Sequence, residues 1–103
     1  MQILKTKAGF DEALASNSGL VVVDFSADWC GPCRVIKPTL ETMEKKYPNV
    51  AFFMVNVDEN SETAEKCDIQ GLPTFKFYKN GTEVDTLVGA SESFLEDKIK
   101  RNQ

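Results

Sequence analysis

Two cysteines separated by two residues, Cys30 and Cys33, are the side chains whose type and spacing could do chemistry. If a helix begins at the first of them, thiols at positions i and i+3 lie about one turn apart and can close a small disulfide. The partial positive charge at a helix N-terminus also stabilises a thiolate, so it lowers the pKa of the first thiol. The pair therefore predicts dithiol–disulfide exchange.

The elements on either side of the cysteines are suited to hold them in this position. Residues 20–26 form an apolar run typical of a strand buried on both faces, and residues 34–47 show helical patterning. A strand, a short turn, the CxxC motif and a helix form the arrangement found in redox proteins. We expect Cys30, at the exposed start of the helix, to attack, and Cys33, one turn further in, to resolve.

Two simpler interpretations of the cysteines are disfavoured. A purely structural disulfide that closes so short a loop restricts the unfolded chain little, and reducing compartments disfavour it. A structural zinc site needs four ligands, whereas the chain has three cysteines and no histidine, so a carboxylate or a second chain would have to join. The lack of histidine also excludes the Cys–His pair of cysteine hydrolases. We predict no metal site.

Length and charge limit the class of protein. The 103 residues, 42% of them hydrophobic, suit one compact domain over 1–103. The net charge of −4 argues against nucleic acid or an anionic membrane surface as a partner. The N-terminal residues lack an apolar signal segment, and the longest apolar run, 20–23, is too short to cross a bilayer. We expect a soluble protein of the cytoplasm, with a processed organelle form as the alternative.

The order of elements along the chain predicts an α/β fold. Short strands are expected at 3–5 and 51–57, and two more, at 74–79 and 82–88, flank the Asn80-Gly81 turn as a hairpin. Two consecutive βαβ units make parallel pairs and the hairpin adds antiparallel ones, which predicts a mixed central sheet of about five strands flanked by four helices. The last helix is expected to cover the sheet with four side chains: Phe94, Leu95, Lys98 and Ile99.

Four segments in a fixed order resemble the thioredoxin family. They are 27–33 (ADWCGPC), 71–75 (GLPTF), 77–81 (FYKNG) and 88–90 (VGA). A lone CxxC motif is weak support, but these segments together are specific, and the likeness runs over nearly the whole chain. The resemblance implies a thioredoxin-like fold and thiol–disulfide oxidoreductase activity.

The resemblance also implies how the cysteines work. The Cys30 thiolate displaces one sulfur of a substrate disulfide, and Cys33 then attacks the mixed disulfide and releases reduced substrate. Asp24 is expected behind Cys33 as its proton acceptor and donor, with a pKa raised by burial. Many bacterial members carry a lysine near this acid, at the position that Met54 fills here, which leaves the polar partners of Asp24 open.

A substrate groove around the cysteines is implied in the same way. Trp29 is expected to be partly exposed beside the reactive sulfur, and Gly31-Pro32, which fixes the turn between the thiols, matches the reducing members. A cis peptide bond before Pro73 would let the preceding residue pair with an extended substrate backbone. The other predicted groove residues are Gly71, Leu72, Val88, Gly89 and Ala90.

Two further positions carry expectations of their own. Gly89 is expected to serve by lacking a side chain where backbones must come close. Cys67 is expected to be a small buried hydrophobe, with glutathionylation or an intermolecular disulfide as the alternative.

The resemblance implies partners but no bound cofactor. Electrons are expected from NADPH through a flavin-containing thioredoxin reductase, with a ferredoxin-linked route, as in photosynthetic organisms, as the alternative. The expected role is electron transport to oxidised substrate proteins, by a monomer. Two rival functions stay open: a thiol oxidase or isomerase, against which Gly31-Pro32 counts, and a binding module that regulates a partner without redox turnover.

Overall fold

A five-stranded mixed sheet organises the computed structural model, which describes residues 1–103. Its strands are β1 Gln2–Ile3, β2 Val21–Ser26, β3 Ala51–Asn56, β4 Thr74–Lys79 and β5 Thr82–Val88. They lie in the order β1-β3-β2-β4-β5. β3 pairs in parallel with β1 and β2, whereas β4 pairs antiparallel with β2 and β5. The predicted mixed sheet is confirmed.

Four helices flank the sheet, as predicted. They are α1 Lys7–Ala15, α2 Gly31–Lys46, α3 Ser61–Lys66 and α4 Glu92–Asn102. α2 begins three residues earlier than its apolar pattern indicates, because Gly31 and Pro32 occupy its first positions, where a proline loses no helical hydrogen bond. No helix is both long and apolar enough to cross a membrane.

The core has two parts, one on each face of the sheet, and β2 contributes side chains to both. Val22 packs with the side chains of α2 and α4 on one face, and Val21 and Val23 pack with Phe10 of α1 on the other. Because successive side chains of a strand point to opposite faces, Asp24 shares the face of Val22. The acid therefore lies on the side of the sheet that α2 covers.

The predicted contribution of Phe94 to the core is wrong. Its side chain is 62% exposed, and α4 instead buries Leu95 and Ile99, which are four residues apart. A helix turns about 100° per residue, so a stripe centred on these two positions leaves Phe94 beside it. Lys98 is partly buried, as predicted, and its ammonium forms an ion pair with Asp85 of β5 at 2.8 Å.

The hairpin and the loop before it have the predicted backbone. Asn80 and Gly81 both have positive φ values, 52° and 78°, which is the geometry of a two-residue turn that matches strand twist. The Leu72–Pro73 peptide bond is cis, as expected. β4 and β5 have the bounds that the sequence predicts.

Candidate active site

The two cysteines lie where β2 gives way to α2. Cys30 is the N-cap of the helix, Cys33 lies in its first turn, and a disulfide joins them across a Cα–Cα distance of 5.3 Å. The backbone N–H of Cys33 donates to the Cys30 Sγ at 3.2 Å. The same N–H is placed to stabilise a thiolate on Cys30 once the disulfide is reduced.

The two cysteines differ less in exposure than their predicted roles suggest. Cys30 is 5% exposed and Cys33 3% exposed, and both pack with Ala27 against Val57 and Leu72. The neighbours that close around the disulfide come from other parts of the chain, which explains why sequence alone did not indicate this burial. What distinguishes the two sulfurs is their place relative to the helix N-terminus.

Asp24 is a buried carboxyl group with no neutralising partner in contact. It is 3% exposed, and its Oδ1 atom makes no hydrogen bond. Burial raises the pKa of Asp24 to about 7, against the opposing effect of the Lys37 charge. A carboxyl group with a pKa near neutrality can both accept and release a proton under physiological conditions.

A cavity of about 280 Å³ connects this acid with the disulfide. Asp24 and Cys33 both line it, so the structure brings together the two groups that the sequence analysis paired. The other lining residues are Ser26, Ala27, Asp28, Arg34, Lys37 and Met54. Because Arg34 and Lys37 are exposed, the cavity extends from the buried carboxyl toward the protein surface.

Met54 leaves open which charged group lies near Asp24, and Lys37 is that group. It lies one helical turn after Cys33, lines the same cavity and forms no ion pair with another side chain. The guanidinium of Arg34, in contrast, donates to the Asp28 carbonyl at 2.6 Å. Sequence reasoning missed Lys37, although its i+4 spacing from Cys33 was a usable signal.

The predicted groove segments lie side by side next to the disulfide. The N–H of Gly89 donates to the carbonyl of Pro73 at 2.8 Å, which joins segment 88–90 to segment 71–73. Leu72 packs against the cysteine pair. Trp29 and Val88 are 69% and 64% exposed, and Pro32 and Ala90 are exposed as well. These residues present a mainly apolar surface around the buried disulfide.

The backbone of Leu72 is free to bind another chain. Neither its N–H nor its carbonyl makes a hydrogen bond within the protein, although only Pro73 separates the residue from β4. An unpaired donor and acceptor at the edge of a site can bind an extended peptide as an added strand would.

Gly89 lies close to another backbone segment, as predicted, but the glycine at which a side chain would be crowded is Gly71. A Cβ atom on Gly71 would lie 3.0 Å from the Val88 side chain. A Cβ atom on Gly89 would meet no protein atom within 4 Å, but Gly89 has a φ of 110°, which other residues rarely adopt. The structure thus favours glycine at these two positions for different reasons, contact with Val88 at the first and backbone conformation at the second.

Trp29 has a hydrogen-bond partner that the sequence analysis did not identify. Its indole N–H donates to the carboxylate of Asp58 at 2.9 Å, and Asn56 bonds to the same loop. Because β2 and β3 are parallel neighbours, the residues that follow both strands meet at one edge of the sheet. That rule was the available signal for Asn56 and Asp58.

The third cysteine takes no part in this site. Cys67 follows α3, is half-buried and packs against the cluster that contains Phe10 and Tyr78. Its Sγ lies 3.6 Å from the Tyr78 hydroxyl, and burial is the main cause that raises the pKa of that tyrosine. These contacts agree with the interpretation of Cys67 as a small hydrophobe. No cluster of three His, Cys, Asp or Glu side chains suited to a metal ion is present.

Comparison with known proteins gives one consistent result. A family model described as Thioredoxin matches residues 1–101. The thioredoxin of Geodia cydonium is 52% identical, over 100% of this chain and 99% of its own length. The X-ray structure of Fasciola hepatica thioredoxin has a TM-score of 0.98 at 43% identity, and a solved structure of Plasmodium falciparum thioredoxin has a TM-score of 0.96 at 47% identity. Each comparison covers 100% of both chains.

Proposed function

The chain belongs to the thioredoxin family of thiol–disulfide oxidoreductases, and from this premise we propose that it reduces protein disulfides through the Cys30–Cys33 couple. The observation that carries the proposal is the disulfide at the N-terminus of α2, sharing a cavity wall with a buried carboxyl whose pKa is about 7. The Cys30–Cys33 disulfide is the oxidised form of this couple, which the proposed reaction produces.

The proposed reaction starts from the dithiol form. The Cys30 thiolate attacks one sulfur of the substrate disulfide, and the other substrate sulfur leaves as a thiolate that takes up a proton. Cys33 then loses its proton and attacks the Cys30 sulfur of the mixed disulfide. The second substrate thiolate leaves, the Cys30–Cys33 bond forms, and two electrons have passed to the substrate.

Asp24 is the proposed proton acceptor for Cys33. Support comes from the shared cavity, the unpaired Oδ1 atom and the pKa of about 7. The positive charge of Lys37 stabilises the carboxylate form, which Asp24 must have before it accepts the Cys33 proton. In the reverse direction, when the disulfide is reduced, the same carboxyl returns the proton.

Substrate proteins are proposed to bind in extended conformation across the disulfide. The unpaired backbone of Leu72 supports two main-chain hydrogen bonds to the substrate. The exposed side chains of Trp29, Pro32, Val88 and Ala90 supply apolar contact on either side. These contacts recognise the main chain of the substrate and apolar side chains of no particular shape. They therefore suit many substrate proteins rather than one.

The proposed electron source is NADPH, through a flavin-containing thioredoxin reductase, with the ferredoxin-linked route as the alternative. We propose that the protein acts as a monomer in the cytoplasm, without a bound cofactor. The Gly31-Pro32 dipeptide favours reduction over thiol oxidation or isomerisation. A binding module without redox turnover would not explain why the chain has both a nucleophilic and a resolving cysteine.

The recycling route is tested by coupling the protein to NADPH and a purified thioredoxin reductase, with insulin disulfides as the substrate. NADPH consumption should depend on the protein and continue for many turnovers. The variant with Cys30→Ser and Cys33→Ser together is the control and should support none. Reduction of insulin with dithiothreitol but never with NADPH and reductase would contradict the proposed electron source while leaving the exchange chemistry intact.

A further inference from the structure

Asn56, the last residue of β3, joins the two loops that hold Trp29. Its side chain is buried, and the residue is 7% exposed. It pairs in register with Ser26 at the end of β2, so it is anchored in the parallel part of the sheet. Neither the exchange chemistry nor the proposed groove uses this amide.

Hydrogen bonds through Asn56 close a ring that includes Trp29. The Asn56 Oδ1 atom accepts from the backbone N–H of Asp58 at 2.9 Å and from that of Glu59 at 3.2 Å. The Asn56 Nδ2 atom donates to Asp28 Oδ1 at 3.2 Å. Asp28 is covalently linked to Trp29, whose indole returns to Asp58 at 2.9 Å. The indole is thus held by the covalent link of Trp29 to Asp28 and by its hydrogen bond to Asp58. Asn56 is hydrogen-bonded to both of these residues.

The ring needs an amide at position 56. Only an amide side chain offers an acceptor to the two N–H groups and, from the same planar group, a donor to a carboxylate. An aspartate there would keep the first role but place a second carboxylate against Asp28. A small apolar residue would remove the acceptor of both N–H groups and the donor to Asp28.

We propose that Asn56 is a positioning residue for Trp29, and that the ring it closes holds the exposed indole beside the disulfide in the conformation that binds substrate proteins. The inference rests on the proposed function, because it takes Trp29 to contact the substrate. A loosened indole must be ordered again at each binding event, which weakens binding. The attack of the Cys30 thiolate on a disulfide does not involve any residue of the ring. Loss of Asn56 therefore raises KM for a protein disulfide and leaves kcat nearly unchanged.

The experiment exchanges the two partners of the amide–carboxylate pair. Asn56→Asp should raise KM for insulin disulfides about tenfold, the effect of losing one hydrogen bond to a charged group. Combining it with Asp28→Asn restores a donor opposite a carboxylate and should return KM to the wild-type value. Trp29 is the only tryptophan, so its fluorescence reports the indole directly. Emission should change in Asn56→Asp and recover in the exchanged protein.

Asn102→Asp is the matched control. Asn102 also donates its amide to an aspartate, Asp85, at 2.9 Å, but in the contact between α4 and β5. Its substitution should leave both the Trp29 emission and KM unchanged. Oxidised glutathione, a small disulfide that cannot fill the groove, should react with the Asn56→Asp and wild-type proteins at similar rates.

The two readouts separate this inference from the function on which it rests. A folded Asn56→Asp protein with unchanged Trp29 emission, or an exchanged protein that fails to recover, would overturn the ring as the device that positions Trp29. Altered emission with unchanged KM would overturn the substrate contact of Trp29. If Asn56→Asp is too unstable to assay, Asp28→Ala removes the acceptor of the same amide and opens the ring from the other side. It should change the Trp29 emission and raise KM, and a folded Asp28→Ala protein with both unchanged would overturn the proposal.

Discussion

Cys30→Ser is expected to reduce protein disulfides no faster than buffer, whereas Cys33→Ser should react once and stop at a mixed disulfide. Cys30 is the N-cap of α2, where its sulfur accepts the N–H of Cys33, so it is the sulfur best placed to carry a negative charge. A serine hydroxyl at position 33 cannot attack the mixed disulfide, which therefore persists. Non-reducing electrophoresis and mass spectrometry of the trapped species measure both results.

Cys67 provides the control for this experiment. It is the third cysteine, half-buried beside Tyr78. Adding Cys67→Ser to Cys33→Ser should leave the yield of trapped substrate unchanged. Normal turnover by Cys33→Ser, or substrate attached to Cys67, would contradict the assignment of nucleophile and resolving thiol.

Asp24→Asn is expected to stabilise the oxidised protein and to slow its turnover. The folded state raises the pKa of Asp24 from 3.8 to about 7, so it binds the proton more tightly than the unfolded chain does. The stabilising contribution of that proton is complete below the unfolded pKa and is lost as pH rises through about 7. An asparagine carries no such titration, so its advantage grows from acid toward neutral pH.

The gain in the free energy of unfolding should reach ~1–4 kcal/mol at and above neutrality. Turnover should fall about tenfold or more at neutral pH, because Cys33 loses its proton acceptor. Denaturation curves and insulin reduction at several values between about pH 5 and 8 test the two effects together. Glu41→Gln, which removes an exposed carboxylate from α2, is the control for charge alone.

A less stable Asp24→Asn protein at every pH, with unimpaired turnover, would contradict this account of the acid. Asp24 would then be a structural group, and the proton of Cys33 would leave by another route. Increased stability with unchanged turnover would retain the burial argument and remove the catalytic one.

Local signals account for the parts of the fold that the sequence predicts well. Asn80-Gly81 between two alternating runs sets the register of a hairpin, and β4 and β5 have the predicted bounds. Such local signals did not predict that Phe94 is exposed. An apolar residue in an amphipathic helix indicates a face, but which side of that face meets the sheet depends on how α4 packs on β5.

The candidate site divides in the same way. Cys30 and Cys33 are recognisable because the chemistry is contained in four consecutive residues. Asn56 and Asp58 are less recognisable, because they reach the site only after β2 and β3 have paired. Lys37 was also missed, although it lies on the same helix as Cys33 at i+4. Neighbouring carboxyl ends of parallel strands are a general meeting point for functional side chains, and applying that rule to residues 56–59 would have found two of the three.

The reduction potential of the Cys30–Cys33 couple tests the central claim most directly. It is measured by equilibrating the protein with glutathione mixtures of known ratio and counting free thiols after acid quenching, with Cys67→Ser to remove the third thiol. A dithiol–disulfide couple that acts as a reductase must have a lower reduction potential than the couples of proteins that oxidise or isomerise disulfides. The potential of a disulfide isomerase is about −180 mV. We expect a potential well below that value. A potential at or above it would contradict the account and make the protein an oxidant or isomerase.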